Sequence, residues 1–389
     1  MGSNNGAAWD LLTFVTKASW AGQNATCVTR GRGRLLWKVR KGAAQSRKRN
    51  ARGVVRADHA GEGDGGVLAS VLKQLQCTAL CAAALFTQAA TAQEAQSLEE
   101  AWWTGPLLAA SAATLPPGHA LIEPYLFDVI SNARFDADGK RHASASDHEL
   151  GSLTYMLYGV SDRLTAGLIP RFFYDVPASG PQSSGVGAGD LQLQAQYGLT
   201  RYQPGREVPA LALVINETLP TGRYDQLARA SDGFGAGAYT TAISLYSQDY
   251  FWMPNGRILR ARLDLTYSLS SSVSVRDQSV YGTPYGFSGT AYPGDGWTVD
   301  AAAEYSLTRS WVLALDVIYQ YNANTRVRGT AGGEDYQADS GSSYYVGFAP
   351  AIEYNWSARA GVILGVRVIN IGRNTSASLT PAIAVNLVF

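Results

Sequence analysis

Between Arg257 and Leu269 the chain alternates without a break. Leu259, Ala261, Leu263, Leu265, Tyr267 and Leu269 fall on one face, and Arg260, Arg262, Asp264, Thr266 and Ser268 on the other. A period of two marks a β-strand, whose successive side chains point to opposite sides of the sheet. The pattern recurs. In residues 297–307 Val299, Ala301, Ala303 and Tyr305 oppose Thr298, Asp300, Ala302, Glu304 and Ser306, and in residues 190–197 Leu191, Leu193, Ala195 and Tyr197 oppose Asp190, Gln192, Gln194 and Gln196. Each strand has one apolar and one wet face.

Such strands fit either a soluble sandwich, whose apolar faces meet inside, or a membrane barrel, whose apolar faces meet lipid and whose polar faces line a lumen. Strand length and connections separate the two. The pattern predicts twelve strands, at residues 120–134, 150–160, 163–176, 188–200, 207–219, 238–251, 257–270, 297–307, 310–323, 343–356, 360–372 and 377–389, most of them 11 to 15 residues long. That exceeds the usual soluble strand and suffices to cross a bilayer at a tilt. The connections alternate in length. Those at 161–162, 201–206, 252–256, 308–309 and 357–359 are short. Those at 135–149, 177–187, 220–237, 271–296 and 324–342 are long and rich in Gly, Ser and Asp, while 373–376 is brief. Short turns at one end and long loops at the other define an outer-membrane barrel, and an even strand count puts both termini on the periplasmic side. The expected fold is therefore all-β, a transmembrane antiparallel barrel of about 12 strands over residues 118–389.

Charge separates this body from what precedes it. Residues 1–92 carry 13 Lys+Arg against 4 Asp+Glu, leaving 19 against 27 for the remainder, with Lys140 as its only lysine. All 21 tyrosines lie in the body and all three cysteines (Cys27, Cys77, Cys81) in the leader, so a body cut from it has no thiol for disulfide, metal or nucleophile. Residues 71–92 read as a secretory signal peptide: Lys73, an apolar run around CTALCAAALF, then Ala90-Thr91-Ala92, with cleavage expected before Gln93. Residues 1–70 are expected to be either a disordered extension or translated sequence upstream of the true start. Their arginines could neutralise phosphates, but nucleic acid is not an expected partner. Residues 93–117 are expected to form a periplasmic N-terminal segment or a plug.

Aromatic residues near strand ends (Tyr155, Tyr197, Trp252, Tyr267, Trp297, Trp311, Tyr319, Tyr321, Tyr354 and Trp356) suit the bilayer interface and predict a girdle. The last strand places Leu379, Ile383, Val385, Leu387 and Phe389 on one face. Its terminal aromatic resembles the signal read by the barrel assembly machinery, so that machinery is an expected partner through Phe389, beside outer-membrane lipid and a small-molecule solute. The run from Gly187 through Asp190-Leu191-Gln192-Leu193-Gln194 to Leu199, then Pro209 to Leu213 and Leu219-Pro220-Thr221-Gly222, resembles the outer-membrane family "putative MetA-pathway of phenol degradation" over most of residues 118–389. The resemblance implies a monomeric or weakly associated barrel that passes small compounds, aromatic ones among them, and transfers no catalytic residue.

In a barrel the inward side chains carry the chemistry. Alternation assigns the lumen Arg171, Asp175, Asp190, Gln192, Gln194, Arg260, Arg262, Asp264, Asp300, Glu304, Asp316, Glu353 and Arg367. Arg or Lys facing midplane lipid costs about 2–4 kcal/mol. Two roles stand open for these groups: a selectivity constriction with opposed charges, or a salt-bridge network filling the lumen. The loop at 271–296, with Tyr281, Tyr285, Phe287 and Tyr292, either folds inward as an eyelet or stays outside. No enzyme is expected: His119, His142 and His148 are the body's only histidines and are read as lying outside strand interiors. Asp136-Ala137-Asp138-Gly139 places its glycine too early for an EF-hand. No cofactor or metal motif is found. The expected function is an outer-membrane channel or facilitated transporter for small solutes, with a structural or surface-interaction barrel of blocked lumen as the alternative.

Overall fold

The computed structural model describes residues 95–389, so the expected signal peptide, extension and cleavage point lie outside the described residues. Eighteen strands follow one another: β1 (Ala120–Phe135), β2 (Arg141–Ser161), β3 (Leu164–Ile169), β4 (Arg171–Val176), β5 (Gly187–Ala188), β6 (Leu191–Thr200), β7 (Ala210–Leu219), β8 (Thr240–Trp252), β9 (Ile258–Ser270), β10 (Val273–Arg276), β11 (Phe287–Tyr292), β12 (Gly296–Ser306), β13 (Trp311–Asn322), β14 (Arg326–Ala331), β15 (Glu334–Asp339), β16 (Ser343–Ser357), β17 (Ala360–Arg373) and β18 (Ser376–Val388). β1 pairs antiparallel with both β18 and β2, so the large sheet closes on itself. Counting β3 and β4 as one strand interrupted at Pro170, and β5 as the lead-in to β6, twelve strands form the wall. Proline has no N–H for the ladder, which is why the strand breaks there.

The alternation holds in three dimensions. On β9, Arg260, Arg262, Asp264 and Thr266 are buried, while Leu263 and Leu265 are exposed on the outer wall. The same outer wall carries Leu126, 61% exposed, and Leu364, 56% exposed. Apolar side chains arranged around a closed barrel in this way match a lipid-facing band, and the protein is an outer-membrane β-barrel. Among the described residues no helix is long and apolar enough to cross a membrane, so the crossing belongs to the strands. Eight of the ten expected girdle aromatics stand on outward positions, with Tyr267 against Trp297 at 4.4 Å and Trp311 against Tyr354 at 4.7 Å between ring centroids. Tyr155 and Trp252 are the exceptions. Tyr155 shares β2's inner face with Leu153 and makes an edge contact with buried Tyr125, and Trp252 shares β8's inner phase with Gln248 and donates its indole N–H to the Gln96 carbonyl at 2.7 Å. Phe389 pairs through its backbone with Ala120, sealing the last strand to the first.

Two expectations about the loop end change. β2 starts at Arg141 rather than near 150, so β1 and β2 rise as a long hairpin, and His142 and His148 lie within a strand. Each faces a carboxylate, Asp136 at 2.6 Å and Asp128 at 2.9 Å. The Asp136 turn is closed by the N–H groups of Asp138 and Lys140, which donate to Oδ1. The connections at 271–296 and 324–342 are not irregular. They contribute β10, β11, β14 and β15 to a second, four-stranded sheet with its own core of Val273, Val275, Tyr281, Phe287, Ala291 and Val327. Tyr281 and Phe287 are thus buried in that cap, while Tyr285 and Tyr292 are exposed, so no eyelet forms from them.

Candidate functional site: the strap and the cavity it leaves

Residues 95–118, apart from one short 3₁₀ turn at Leu98–Glu100, have no regular structure of their own and cross the lumen as a strap before β1. A backbone without a ladder needs acceptors for its N–H groups. The wall supplies carboxylates. Glu353 on β16 accepts from Thr104 N–H at 2.6 Å and Gly105 N–H at 3.2 Å. Asp316 on β13 accepts from Leu107 at 3.0 Å, Leu108 at 3.3 Å and Ala109 at 2.9 Å. Asp264 on β9 accepts from Ala110 at 2.7 Å, and Arg262 donates to the Ala109 carbonyl at 2.9 Å. Gly105 takes φ +131°, a conformation that favours glycine, with the Arg262 guanidinium in contact range of where a Cβ would stand. The far end of the strap passes so close to β2 that a Cβ on Gly159 would lie 2.0 Å from the Pro116 carbonyl.

Beneath the strap, Glu304 on β12 pairs with Arg260 through two hydrogen bonds and with Arg262 at 3.0 Å. The Arg260 guanidinium also sits 4.5 Å from the centre of the Trp103 ring. These ions therefore hold one another and the strap. Buried ions are stable only when so paired.

All thirteen residues assigned to the lumen stand on inward positions, twelve buried and Gln194 half-buried. They divide into three groups. Arg260, Arg262, Asp264, Glu304, Asp316 and Glu353 hold the strap or one another, and Asp300 lies directly across from Asp264 in the same layer. Arg367 is buried on β17. Arg171 donates to Gln192, and the Asp175 N–H donates to the Ser183 hydroxyl at 2.9 Å. Asp190 has a separate task, accepting from Gly222 N–H at 2.8 Å and Ala236 N–H at 2.7 Å. With Thr221, whose hydroxyl receives the Leu191 N–H, it staples the loop at 220–239 to the wall. That loop delivers Phe234 into the lumen, where it stacks on Phe173 at 5.9 Å, and Phe173 meets Phe127 at 6.3 Å. Gly187 makes room: a Cβ there would lie 2.2 Å from the Phe234 ring. With Val129, Leu153 and Ile169 these rings form an apolar septum toward the long-loop end.

Between strap and wall, below that septum, lies a cavity of about 270 Å³. Gln192, Gln194, Arg260 and Arg262 border it, as do groups the sequence reading did not assign: Glu123 and Tyr125 on β1, Tyr155 on β2, Asn216 on β7, Tyr246 on β8 and Asn386 on β18. Bulk was the missed signal on β7, where small inward residues (Ala210, Ala212, Val214) alternate with Leu211, Leu213 and Ile215 outside. Among the described residues no group of acidic, His or Cys side chains is arranged to hold a metal ion.

A closed twelve-stranded barrel with a carboxylate-pinned strap and a loop stapled into its mouth defines an outer-membrane barrel protein with a largely filled lumen. The sequence profile described as "Putative MetA-pathway of phenol degradation" matches residues 132–380, and the chain belongs to that family. Among solved structures it resembles an outer membrane channel from Pseudomonas putida F1, with a TM-score of 0.56 and 14% identity over 72% of this chain and 98% of that one. More distant are the translocator domain of an autotransporter from Neisseria meningitidis (TM-score 0.37, 13% identity, 70% of this chain, 89% of that one) and the toluene transporter of Ralstonia pickettii (TM-score 0.35, 10% identity, 77% and 98%). A search of curated proteins returns no match.

Proposed function

We propose that the protein is an outer-membrane channel or facilitated transporter for small solutes, whose route runs between the strap and the wall formed by β1, β2, β3, β6, β7 and β8. The observation that carries this reading is the 270 Å³ cavity between strap and wall, bordered from Leu121 and Val388 near the short-turn end up to Gln192 and Ile169. In this reading Gln192, Gln194, Arg260 and Arg262 border the route. Asp264, Asp316 and Glu353 hold the strap, Glu304 holds the two arginines and Asp190 holds the loop, which joins the two roles that the sequence left open. The thirteen are then one shell of mixed purpose. No step of catalysis is assigned to it; His148 and His142 are paired with Asp128 and Asp136.

A second reading has its own support. The Phe127, Phe173 and Phe234 rings pack on one another within the lumen toward the long-loop end, which suits a barrel with a blocked lumen whose cap binds partners. Single-channel recording in planar bilayers separates them. Discrete steps, with swelling of liposomes in small solutes, are expected for the channel. A silent bilayer with correctly folded, heat-modifiable protein supports the blocked barrel. The assembly partner is proposed on Phe389, the end of the strand that closes the barrel, and its deletion is expected to lower the yield of folded protein in the membrane.

A further inference from the structure

The cavity's walls are unlike the rest of the lumen. Three phenol rings face it, Tyr125 and Tyr155 in edge contact with centroids 6.0 Å apart and Tyr246 from β8. Among its polar groups two acceptors have unused capacity. The Asn216 Oδ1 is buried without a hydrogen-bond partner, and the residue is 2% exposed. Glu123 is half-buried, and a carboxylate offers about four acceptor positions, more than its neighbours Tyr125 and Asn386 fill. A buried acceptor left unpaired is destabilising, and a ligand that donates to it relieves that cost. The cationic groups on the cavity's border are already engaged, Arg260 by Glu304 and Trp103, Arg262 by Glu304 and Ala109.

From this combination we infer that the cavity is a binding site for a neutral six-membered ring carrying adjacent hydroxyl groups. One ring fits: an apolar cavity of about 150 Å³ already takes benzene, and 270 Å³ leaves space for substituents. Tyr125 and Tyr155 stand beside Glu123, which accepts from two neighbouring hydroxyls, while Asn216, four strands further round the wall, accepts from a bridging water. A carboxylated ring is disfavoured, because its charge finds no unengaged guanidinium on the border. A ring without donors leaves the spare acceptor positions of Glu123 unfilled, the kind of mismatch that discriminates between analogues. The chemistry is shared by a catechol and by a pyranose sugar, and it rests on the channel reading only for the claim that the bound ring is in transit.

The test is isothermal titration of the intact exported protein in detergent with catechol, glucose, benzoate and toluene, alongside uptake of the same compounds into proteoliposomes. Saturable binding of catechol or glucose is expected, at least tenfold tighter than benzoate or toluene, and at least tenfold weaker in Glu123→Gln. Tyr246→Phe, which keeps the ring, is expected to weaken it less. The compound that binds identifies the source as aromatic or sugar. Benzoate or toluene binding as tightly as both diols, no saturable diol binding, or diol binding unchanged in folded Glu123→Gln would each overturn the site. Binding without uptake would remove the channel reading and leave the site. Uptake without saturable binding would do the reverse.

Discussion

On one side of the lumen, β9, β12, β13 and β16 present Arg260, Arg262, Asp264, Asp300, Glu304, Asp316 and Glu353, and the strap lies against them. On the other, β1, β2, β7 and β8 present Glu123, Tyr125, Phe127, Tyr155, Asn216 and Tyr246; the strap's Leu107, Leu108 and Ala112 pack against Tyr125, Phe127 and Tyr246, and a cavity remains beside that contact. The contrast shows what holds an irregular segment inside a barrel. Charges concentrate where consecutive backbone N–H groups need acceptors, while on the other side the strap is met by apolar packing and by single amide and hydroxyl bonds, such as Gln196 to the Ser111 carbonyl, and the fit leaves a cavity. The ionic side is thus matched to the protein, and the cavity side is free to match a solute.

Removing the strap is the harshest way to break this contrast. A chain lacking residues 95–112 is expected to close its barrel, because no strand is lost. It exposes the whole ionic face, and conductance is expected to rise severalfold with loss of discrimination among solutes. Equal conductance in the intact and deleted chains would show that the strap does not narrow the route. A milder opening acts on the septum. Phe234→Ala removes a fully packed ring, a change of about 3–5 kcal/mol for such truncations, concentrated in the loop at 220–239. The expected outcome is faster permeation by apolar rings with the strap still protected. An unchanged rate would place the resistance elsewhere.

How far each side was legible follows from its physics. Charged residues cannot face lipid, so the phase of β9, β12 and β16 was readable from Arg260, Arg262, Asp264, Glu304 and Glu353 alone. On β1 both faces are largely apolar: Tyr125, Phe127 and Val129 point inward, Leu126 outward, and even Asp128 sits outside beside His148. Polarity carries no phase there, which is why Glu123 went unassigned and Tyr155, on the neighbouring strand, was read as a girdle residue. The strap has no period at all. Its place depends on contacts such as Thr104 to Glu353, 249 residues apart in sequence. The loop sheet was missed because β10, β11, β14 and β15 are only 4 to 6 residues long, too short for alternation to stand out among Gly and Ser.

The ionic side itself can be dissected at Asp316. It accepts from three consecutive N–H groups, and Asp316→Ala leaves them buried without partners, at about 1–3 kcal/mol for a lost buried partner. Hydrogen exchange at Leu107, Leu108 and Ala109 is expected to quicken by roughly one to two powers of ten, while β1 and β18 keep their protection. If exchange at these amides is unaltered, Leu107 and Leu108 are held by apolar packing rather than by the carboxylate.

The smallest effect is expected at the strap's outer end, and it sharpens the comparison by showing where the buried part begins. Glu100 accepts from the Ser97 N–H at 3.0 Å and from the Ser97 hydroxyl at 3.1 Å, and these bonds hold its carboxyl below the ordinary value of 4.5. A depressed carboxyl contributes its stabilisation above the unfolded value and loses it as pH falls through the folded one. The Ser97 amide of the wild type should therefore be protected at neutral pH and lose that protection only below about 4.5, after correction for the intrinsic pH dependence of exchange. Glu100→Ala should show the acid behaviour already at neutral pH, with a change of a few-fold at most because the site is exposed and water competes for every bond. Leu107 to Ala109 should not respond, since their acceptor is Asp316. If Glu100→Ala loosened those amides as much as Asp316→Ala does, the strap would open as one unit from its periplasmic end, and the ionic wall would be a resting place for it rather than its anchor.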